Sequence, residues 1–179
     1  MINPIIFSGH MIDRPGRLKP RFPEDLTSYV GEKILNELIR LEPANSYLGL
    51  AGGSCGGDII FHECCFKLGI RSEMYLPKDI IEFKSESVDY AGSEWSQRFD
   101  QLIDKIPFKI LNIQESTEKE KNLWELTNFW MIEEAKKIGK NEFTLLALWN
   151  NQRGDGKGGT EDMICISNDL GQSVIVIAI

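Results

Sequence analysis

Short apolar runs that alternate with segments of helical period constrain the fold of this 179-residue chain more than any other feature. Six runs are predicted to be strands, at residues 4–9, 47–50, 72–76, 108–113, 143–148 and 173–179. Strands that alternate with helices form a parallel sheet that is covered on both faces. We therefore predict one domain over residues 1–179, with a three-layer α/β/α fold and a mainly parallel sheet of about six strands.

Helices are predicted between these strands, wherever apolar residues recur three or four positions apart. Gly69 and Gly139 are predicted to end two of them, because glycine tolerates the backbone of a helix C-cap. Residues 78–92 have no clear period and are predicted to form an irregular loop. Four of the predicted helices cover residues 24–41, 58–68, 94–103 and 161–170. A fifth is predicted to follow a polar loop at 114–122 and to end near residue 138.

Two glycine-rich segments lie where a predicted strand leads into a predicted helix. The first runs from Ala51 to Asp58 and has glycine at positions 52, 53, 56 and 57. The second runs from Trp149 to Asp162 and has glycine at positions 154, 156, 158 and 159. Such turns expose backbone N–H groups at a helix N-terminus, which favours phosphate. Because both turns follow parallel strands, we expect them to meet at the carboxyl edge of the sheet, where ligands bind.

The first glycine-rich segment matches A-x-G-x-x-G, a loosened form of the dinucleotide-binding fingerprint. A dehydrogenase is disfavoured, because the next strand ends in Tyr75-Leu76-Pro77 and offers no acid to a ribose. A P-loop is disfavoured as well, because no G-K-[ST] follows the glycines. A tight turn that packs a helix without any ligand is the alternative interpretation.

A basic segment stands out in this acidic chain. Residues 10–22 carry four cations and one acid, although the whole chain has a formal net charge of −7. Beside two turns that attract anions, this segment is predicted to clamp phosphates through Arg14, Arg17 and Arg21. A solvated loop is the alternative. The overall acidity disfavours binding to nucleic acid through a general electrostatic field.

The candidate ligand-binding residues combine these three segments. Ribose hydroxyls are expected on Asp58 or Asp155. Trp149 could stack on a base, although a core or rim position is the alternative. The candidates are Gly9, His10, Arg14, Arg17, Arg21, Gly52, Gly53, Ser54, Gly56, Gly57, Asp58, Trp149, Asp155, Gly156, Gly158, Gly159 and Thr160.

An enzyme at the same site would need a carboxylate near an anomeric carbon, to stabilise an oxocarbenium-like centre. Glu63, Glu161 and Asp162 are the candidate catalytic residues. The alternative for Glu63 is a solvated or capping role. Glu161 and Asp162 would also be favoured by the dipole of the helix that they begin, with or without a ligand. The other three tryptophans, Trp95, Trp124 and Trp130, are predicted to pack the helices.

Cysteine and histidine usage argues against a metal site. The four cysteines, at positions 55, 64, 65 and 165, form no CxxC pair, and there are two histidines. No metal and no cofactor are therefore predicted, and a reducing, cytoplasmic compartment fits unpaired thiols best. Cys55 lies at a predicted helix N-terminus, where the pKa of a thiol tends to fall. We find no signal peptide and no transmembrane stretch, so no membrane partner is expected.

Taken together, these motifs resemble the SLOG superfamily, the Rossmann-like group that contains the DprA/Smf and LOG proteins. The resemblance is to the subgroup found beside signalling and conflict-related modules. It implies a site for nucleotides or for NAD-derived ligands such as cyclic ADP-ribose isomers. The segments that carry it are Phe7–Met11, Pro15–Arg17, Arg21–Pro23, Ala51–Gly53, Gly56–Ile59, Tyr75–Pro77, Ser87–Val88, Trp95, Arg98–Phe99, Ala147–Trp149 and Gly154–Thr160.

LOG members of the superfamily instead cleave the N-glycosidic bond of nucleoside monophosphates, with the motif P-G-G-x-G-T-x-x-E. The matching stretch here, residues 158–162, lacks the same spacing to a glutamate. We therefore expect a sensor of a nucleotide or of an ADP-ribose or cyclic ADP-ribose type of ligand. A LOG-like N-glycosidase or ribosyl-transfer enzyme is the first alternative, and an interaction module with a vestigial pocket is the second. A sensor would need a second copy or a fused effector module to relay its signal.

Overall fold

The computed structural model describes residues 2–41, 44–112, 122–152 and 158–179. Within these ranges six strands alternate with six α-helices. The strands are β1 (Asn3–Gly9), β2 (Tyr47–Ala51), β3 (Arg71–Leu76), β4 (Phe108–Ile110), β5 (Thr144–Trp149) and β6 (Ser173–Ala178). The helices are α1 (Thr27–Ile39), α2 (Gly57–Leu68), α3 (Ile80–Ser87), α4 (Ser93–Ile103), α5 (Leu123–Gly139) and α6 (Thr160–Asp169).

All six strands form one parallel sheet in the order β4-β3-β2-β1-β5-β6. The chain builds outward from β1 through β2, β3 and β4, then crosses to the other side of β1 for β5 and β6. Strand order therefore reverses between β1 and β5, which opens a crevice at their carboxyl ends. The predicted three-layer, Rossmann-like α/β/α fold is confirmed, and the sheet is wholly parallel.

Alternate residues of β1 point into two separate cores, as the pleat of a strand requires. Ile5 and Phe7 pack with α1, α2 and α4, in a core that includes Phe61. Ile6 packs on the other face with Leu145 and with buried residues of α5 and α6. Both cores are fully buried at the centre of the sheet. This leaves the carboxyl edge of β1 fixed from both faces.

The prediction of an irregular loop at residues 78–92 is wrong, because this segment contains α3. The Asp79 carboxylate accepts hydrogen bonds from the Ile81 and Glu82 amides, at 3.0 Å and 3.1 Å, and thereby caps the helix. Phe83 and Ser87 are its buried residues. A helix of eight residues with one buried aromatic is too short for a clear period, so its cap was the only strong signal.

Strand β4 differs from its prediction, and a capping box defines where α5 begins. Strand β4 spans three residues and lies at the sheet edge, so it is shorter than the predicted 108–113, whose last residue lies outside the described ranges. Helix α5 begins with a capping box, in which Asn122 and Glu125 each accept the other's backbone N–H.

No helix in the described part of the chain is long and apolar enough to cross a membrane.

Candidate functional site

A cavity of about 680 Å³ opens at the carboxyl edge of the sheet. The end of β1, the basic segment and the first glycine-rich turn line one part of it. Helix α3 and the first turns of α5 and α6 line the rest. The lining residues are Phe7, Ser8, Gly9, His10, Met11, Ile12, Arg14, Arg17, Arg21, Gly52, Ser54, Asp58, Tyr75, Pro77, Phe83, Glu86, Ser87, Tyr90, Asn122, Trp124, Thr127, Asn128, Met131, Trp149, Gly158, Gly159, Thr160 and Glu161.

Hydrogen bonds join the two strands that flank the crevice. The Ser8 hydroxyl donates to the Thr160 hydroxyl at 3.3 Å, which links β1 to the start of α6. The His10 imidazole bonds the Asn150 side chain at 2.9 Å, just beyond β5. The end of β1 and the turn after β5 therefore act as one surface, as parallel neighbours at a switch point should.

His10 is a neutral histidine at neutral pH. Burial lowers its pKa, and the positive charges of Arg21 and Arg17 lower it further, against the opposing effect of the Asn150 hydrogen bond. Asn150 Oδ1 also accepts the Gln152 amide at 3.1 Å, so it is an acceptor. The Asn150 backbone N–H also lies near Nε2, with the nitrogens 3.4 Å apart. The contact with the acceptor Oδ1 is shorter, so we assign the imidazole proton to Nε2, which then accepts no bond from that N–H.

The basic segment is a closed loop organised by Asp13. Asp13 Oδ2 accepts the backbone N–H groups of Arg21 and Phe22, at 2.8 Å and 2.9 Å. Its Oδ1 lies 3.4 Å from Arg17 Nε. One carboxylate thus holds two of the three predicted phosphate-binding arginines, and both of these arginines line the cavity.

Arg14 reaches the cavity from the same loop by a different route. Its guanidinium lies 4.0 Å from the ring centre of Tyr90 and donates to the Glu86 carbonyl at 2.8 Å. Tyr90 in turn donates its hydroxyl to the Ile12 carbonyl at 2.7 Å. A stacked and hydrogen-bonded guanidinium is pre-organised for an anion. The structure therefore brings all three predicted arginines to one cavity.

Amides of the first glycine-rich turn are bonded to the protein itself. Cys55 N donates to the Ser87 carbonyl at 2.9 Å, and Gly57 N donates to the His10 carbonyl at 3.1 Å. Ser54 N donates to Asp58 Oδ2 at 3.2 Å. These three N–H groups cannot hold a phosphate at the same time.

Close packing explains why this turn is rich in glycine. Gly56 has φ +107°, and a Cβ there would lie 2.8 Å from Ile12 N and 2.9 Å from the His10 carbonyl oxygen. A Cβ on Gly53 would lie 2.6 Å from Met74 Sδ. Of the predicted residues in this turn, Gly52, Ser54 and Asp58 line the cavity, whereas Gly53, Gly56 and Gly57 do not.

Asp58 is the carboxyl group at the floor of the cavity. Burial raises its pKa to about 7, and the Ser54 amide only partly offsets this effect. Gly52 makes room for it, because a Cβ on Gly52 would lie 2.6 Å from Asp58 Oδ2. Burial likewise raises the pKa of Cys55 to about 11. The expectation of a lowered thiol pKa at Cys55 is therefore wrong, since loss of solvent outweighs the helix N-terminus.

The second glycine-rich turn delivers the start of α6 to the cavity. Gly158 donates its N–H to Asp162 Oδ2 at 2.6 Å, and Gly159 and Thr160 begin the helix at the cavity wall. The positive end of the α6 dipole therefore faces the cavity. Two predicted ligand-binding residues in this turn, Asp155 and Gly156, lie outside the described residues.

The three candidate catalytic carboxylates are in different surroundings. Glu63 forms a two-pronged ion pair with Arg98, at 2.8 Å and 2.7 Å, and does not line the cavity. Asp162 accepts the Gly158 amide and lines a smaller cavity of about 250 Å³ between α5 and α6. Glu161 alone among the three lines the main cavity. The described residues contain no group of three or more His, Cys, Asp or Glu that could hold a metal ion.

The tryptophans divide between core and cavity. Trp95 is buried and Trp130 packs edge-on against Tyr75, as predicted. Trp124 packs against Phe83 of α3, as predicted, but it also lines the cavity and is 36% exposed. Trp149 also lines the cavity, and its Nε1–H donates to the Gln152 carbonyl at 3.0 Å.

The sequence reasoning missed the wall formed by α3 and the first turns of α5. The capping box at Asn122 and Glu125 was a readable signal for where α5 begins. When α5 begins at Leu123, positions 124, 127, 128 and 131 lie on one face of the helix. This face lines the cavity. The Asp79 cap marks where α3 begins, and Ser87–Val88 is one of the segments that carry the resemblance, but no helical period places Glu86, Ser87 and Tyr90 at the cavity.

Comparison with solved structures gives a distant likeness of fold. No family model matches the sequence, and no curated protein matches it. Among solved structures, the Moco carrier protein from Chlamydomonas reinhardtii has a TM-score of 0.47 and 12% identity, over 99% of this chain and 76% of that chain. A likeness at this level carries no information about what the present chain binds.

Proposed function

We propose that this chain binds a phosphorylated, nucleotide-like small molecule in the cavity at the β1–β5 crevice. One observation carries the proposal: Arg14, Arg17 and Arg21 line the same cavity as the N-terminus of α6, in a chain of net charge −7. Guanidinium groups and a helix N-terminus both favour phosphate oxygens. An acidic protein that gathers cations at one cavity is suited to a small anion.

The ligand class that fits best is NAD-derived, of the ADP-ribose or cyclic ADP-ribose type, and the role is that of a SLOG-like sensor. Asp58 supports this choice, because a carboxyl at the cavity floor can accept hydrogen bonds from ribose hydroxyls. Several arginines suit a ligand with more than one phosphate. A second copy of the chain or a fused effector module would relay the signal.

A LOG-like N-glycosidase is the second candidate, and Glu161 is the observation in its favour. Glu161 lies at the cavity wall beside the α6 N-terminus. Against this candidate, the carboxylate of Glu63 is engaged by Arg98. Binding is therefore the leading proposal, and hydrolysis is an outcome that its test must detect.

The test combines calorimetry with product analysis on purified protein. AMP, NAD, ADP-ribose and cyclic ADP-ribose are titrated, thermal stability is followed, and each ligand is recovered and chromatographed. We expect saturable binding and a rise in melting temperature, with the ligand recovered intact. Free base or ribose phosphate would establish the glycosidase instead. Absence of binding by all four ligands would refute the proposal.

A matched pair of variants tests the role of the basic segment. Arg21→Gln removes a cation that lines the cavity, whereas Lys19→Gln removes one from the same loop that does not. We expect the first variant to weaken ligand affinity by about tenfold, as for a charge-assisted hydrogen bond. The second should leave affinity within about twofold at the same salt concentration. Equal losses would mean that only net charge matters.

A further inference from the structure

The cavity has an aromatic end that the phosphate proposal does not use. Tyr75 at the end of β3, Phe83 on α3, and Trp124 and Met131 on α5 form this wall. Trp124 packs against Phe83, with ring centres 5.9 Å apart and an angle of 50° between the planes. Phe83 is 1% exposed but Trp124 is 36% exposed, so Trp124 is the ring that the wall presents.

This aromatic end does not suit an anion, although a helix begins there. Asn122 accepts the Glu125 amide at 2.9 Å, and Glu125 accepts the Asn122 amide at 3.1 Å. The capping box thus occupies the amides of Asn122 and Glu125 and adds a carboxylate to the N-terminus of α5. The first turn of α6 is acidic too, with Glu161 and Asp162, but its N-cap residue, Gly159, has no side chain that could bond the amides after it. The two helix starts therefore differ in what they can bind.

Gly158 fixes the distance between these two helix starts. It has φ +86°, and a Cβ there would lie 2.9 Å from Glu125 N and 3.1 Å from Trp124 Cβ. Its carbonyl accepts the Asn128 side-chain amide at 2.8 Å. The aromatic wall and the α6 N-terminus are held together, so one ligand can reach both.

The side chains of Asn128 and Thr127 on this wall both offer acceptor oxygens. The Asn128 amide nitrogen donates one of its two N–H groups to the Gly158 carbonyl, which fixes the orientation of the amide and leaves Oδ1 as an acceptor beside the second N–H. The Thr127 hydroxyl donates to the Leu123 carbonyl at 2.8 Å, so its oxygen can only accept from a ligand. A ring with an exocyclic amino group complements such an edge.

We propose that Trp124 is the stacking surface for a planar, amino-bearing heteroaromatic ring, whose edge is read by the acceptors of Asn128 and Thr127. This inference rests on the proposed function, because it concerns the same ligand and cavity. The phosphate end then supplies anchoring, and the aromatic end supplies discrimination between rings.

The test compares AMP, inosine monophosphate, which carries a carbonyl in place of the amino group, and ribose 5-phosphate, which has no ring. Binding is measured by calorimetry on the full chain and on Trp124→Leu, Trp124→Phe and Trp149→Leu. We expect AMP to bind tightest and ribose 5-phosphate weakest. Trp124→Leu should weaken AMP by about tenfold and leave ribose 5-phosphate unchanged, since stacking on an aromatic is worth about that much.

The controls separate the possible failures. Trp124→Phe should restore most of the AMP affinity, and Trp149→Leu, at the other tryptophan that lines the cavity, should cost less AMP affinity than Trp124→Leu. Equal affinity for AMP and ribose 5-phosphate would overturn the ring site while the phosphate proposal stands. A loss confined to Trp149→Leu would overturn the assignment to Trp124. Equal affinity for AMP and inosine monophosphate would overturn the acceptor edge. Failure of all three ligands, together with failure of NAD, ADP-ribose and cyclic ADP-ribose, would refute the proposed function itself.

Discussion

The two glycine-rich turns look alike in sequence but differ in what they present to the cavity. In the turn after β2, the backbone of Gly56 presses against Ile12 and His10, and neighbouring amides bond to protein carbonyls. In the turn after β5, the described residues Gly159 and Thr160 begin a helix at the cavity wall. Both turns use glycine where two pieces of backbone come close, since a Cβ on Gly158 would likewise lie 2.9 Å from Glu125 N. The second turn also directs a helix dipole at the cavity.

This difference shows that a glycine-rich turn indicates a close approach to its backbone, but does not indicate whether a ligand or another segment of the chain approaches it. A glycine-rich strand-to-helix turn is compatible with phosphate and with another segment of the same chain. The partner is decided by where the turn's N–H groups go. The predictions below test whether the first turn is structural and the second faces the ligand.

The largest effect is expected from Gly56→Ala. A Cβ at this position would lie 2.8 Å from Ile12 N, at a backbone φ of +107°. Gly92 has the same φ of +107° but nothing within 4 Å of its Cβ position, so Gly92→Ala is the matched control. We expect the control to lose about 1 kcal/mol of unfolding free energy, and Gly56→Ala about 3 kcal/mol or more. Urea titrations measure both, and equal losses would remove the packing role of the first turn.

The next effect is a pH dependence that Asp58 imposes on stability. Its pKa is raised from 3.8 to about 7 in the folded protein. Between these values the folded state holds a proton that the unfolded chain has released. Stability from this group is therefore complete below about pH 4 and is lost as pH rises through about 7.

Asp58→Asn should remove that loss. Relative to wild type, the variant should gain stability as pH rises from 4 to 8, by at most about 1.4 kcal/mol per pH unit. His62 is buried with a pKa lowered to about 4, and its opposite effect at acid pH is shared by both proteins. Urea titrations across this pH range measure the difference, and a difference that does not change with pH would contradict the prediction.

A smaller effect, of opposite sign on two readouts, is expected at the second turn. Glu161→Gln removes a negative charge from the first turn of α6, which should lower the unfolding free energy by about 0.5 kcal/mol. The same change should raise affinity for a phosphorylated ligand about two- to fivefold, because a like charge leaves the anion site. Calorimetry and thermal unfolding on one sample measure both. A loss of substrate turnover would instead identify Glu161 as catalytic.

The smallest effect is expected at Glu63, on the helix that follows the first turn. Glu63→Gln breaks a partly exposed ion pair with Arg98 and should cost less than about 1 kcal/mol of stability. Ligand affinity should stay unchanged, because Glu63 does not line the cavity. A large change in affinity would connect α2 to the ligand and weaken the contrast between the two turns.

The fold followed from periodicity, because the central strands β1, β2 and β5 carry enough apolar residues to be buried on both faces. The basic segment was also readable, since three arginines in a loop of an acidic chain have few structural uses. Trp124 was not readable, because helical spacing does not separate a core face from a cavity wall. The amides of Cys55 and Gly57 donate hydrogen bonds to carbonyls that are distant in sequence. These bonds depend on the tertiary fold, so no local sequence pattern predicts them.

His10 connects the two turns, and this makes it a spectroscopic reporter of both. Its carbonyl accepts the Gly57 N–H at 3.1 Å, and its ring bonds Asn150 at 2.9 Å. The only other histidine, His62, is buried and has a pKa of about 4, so its ring stays neutral through the physiological range. Two imidazole signals in a nuclear magnetic resonance spectrum would therefore serve as a probe of the crevice and an internal reference, with no label added to the protein surface.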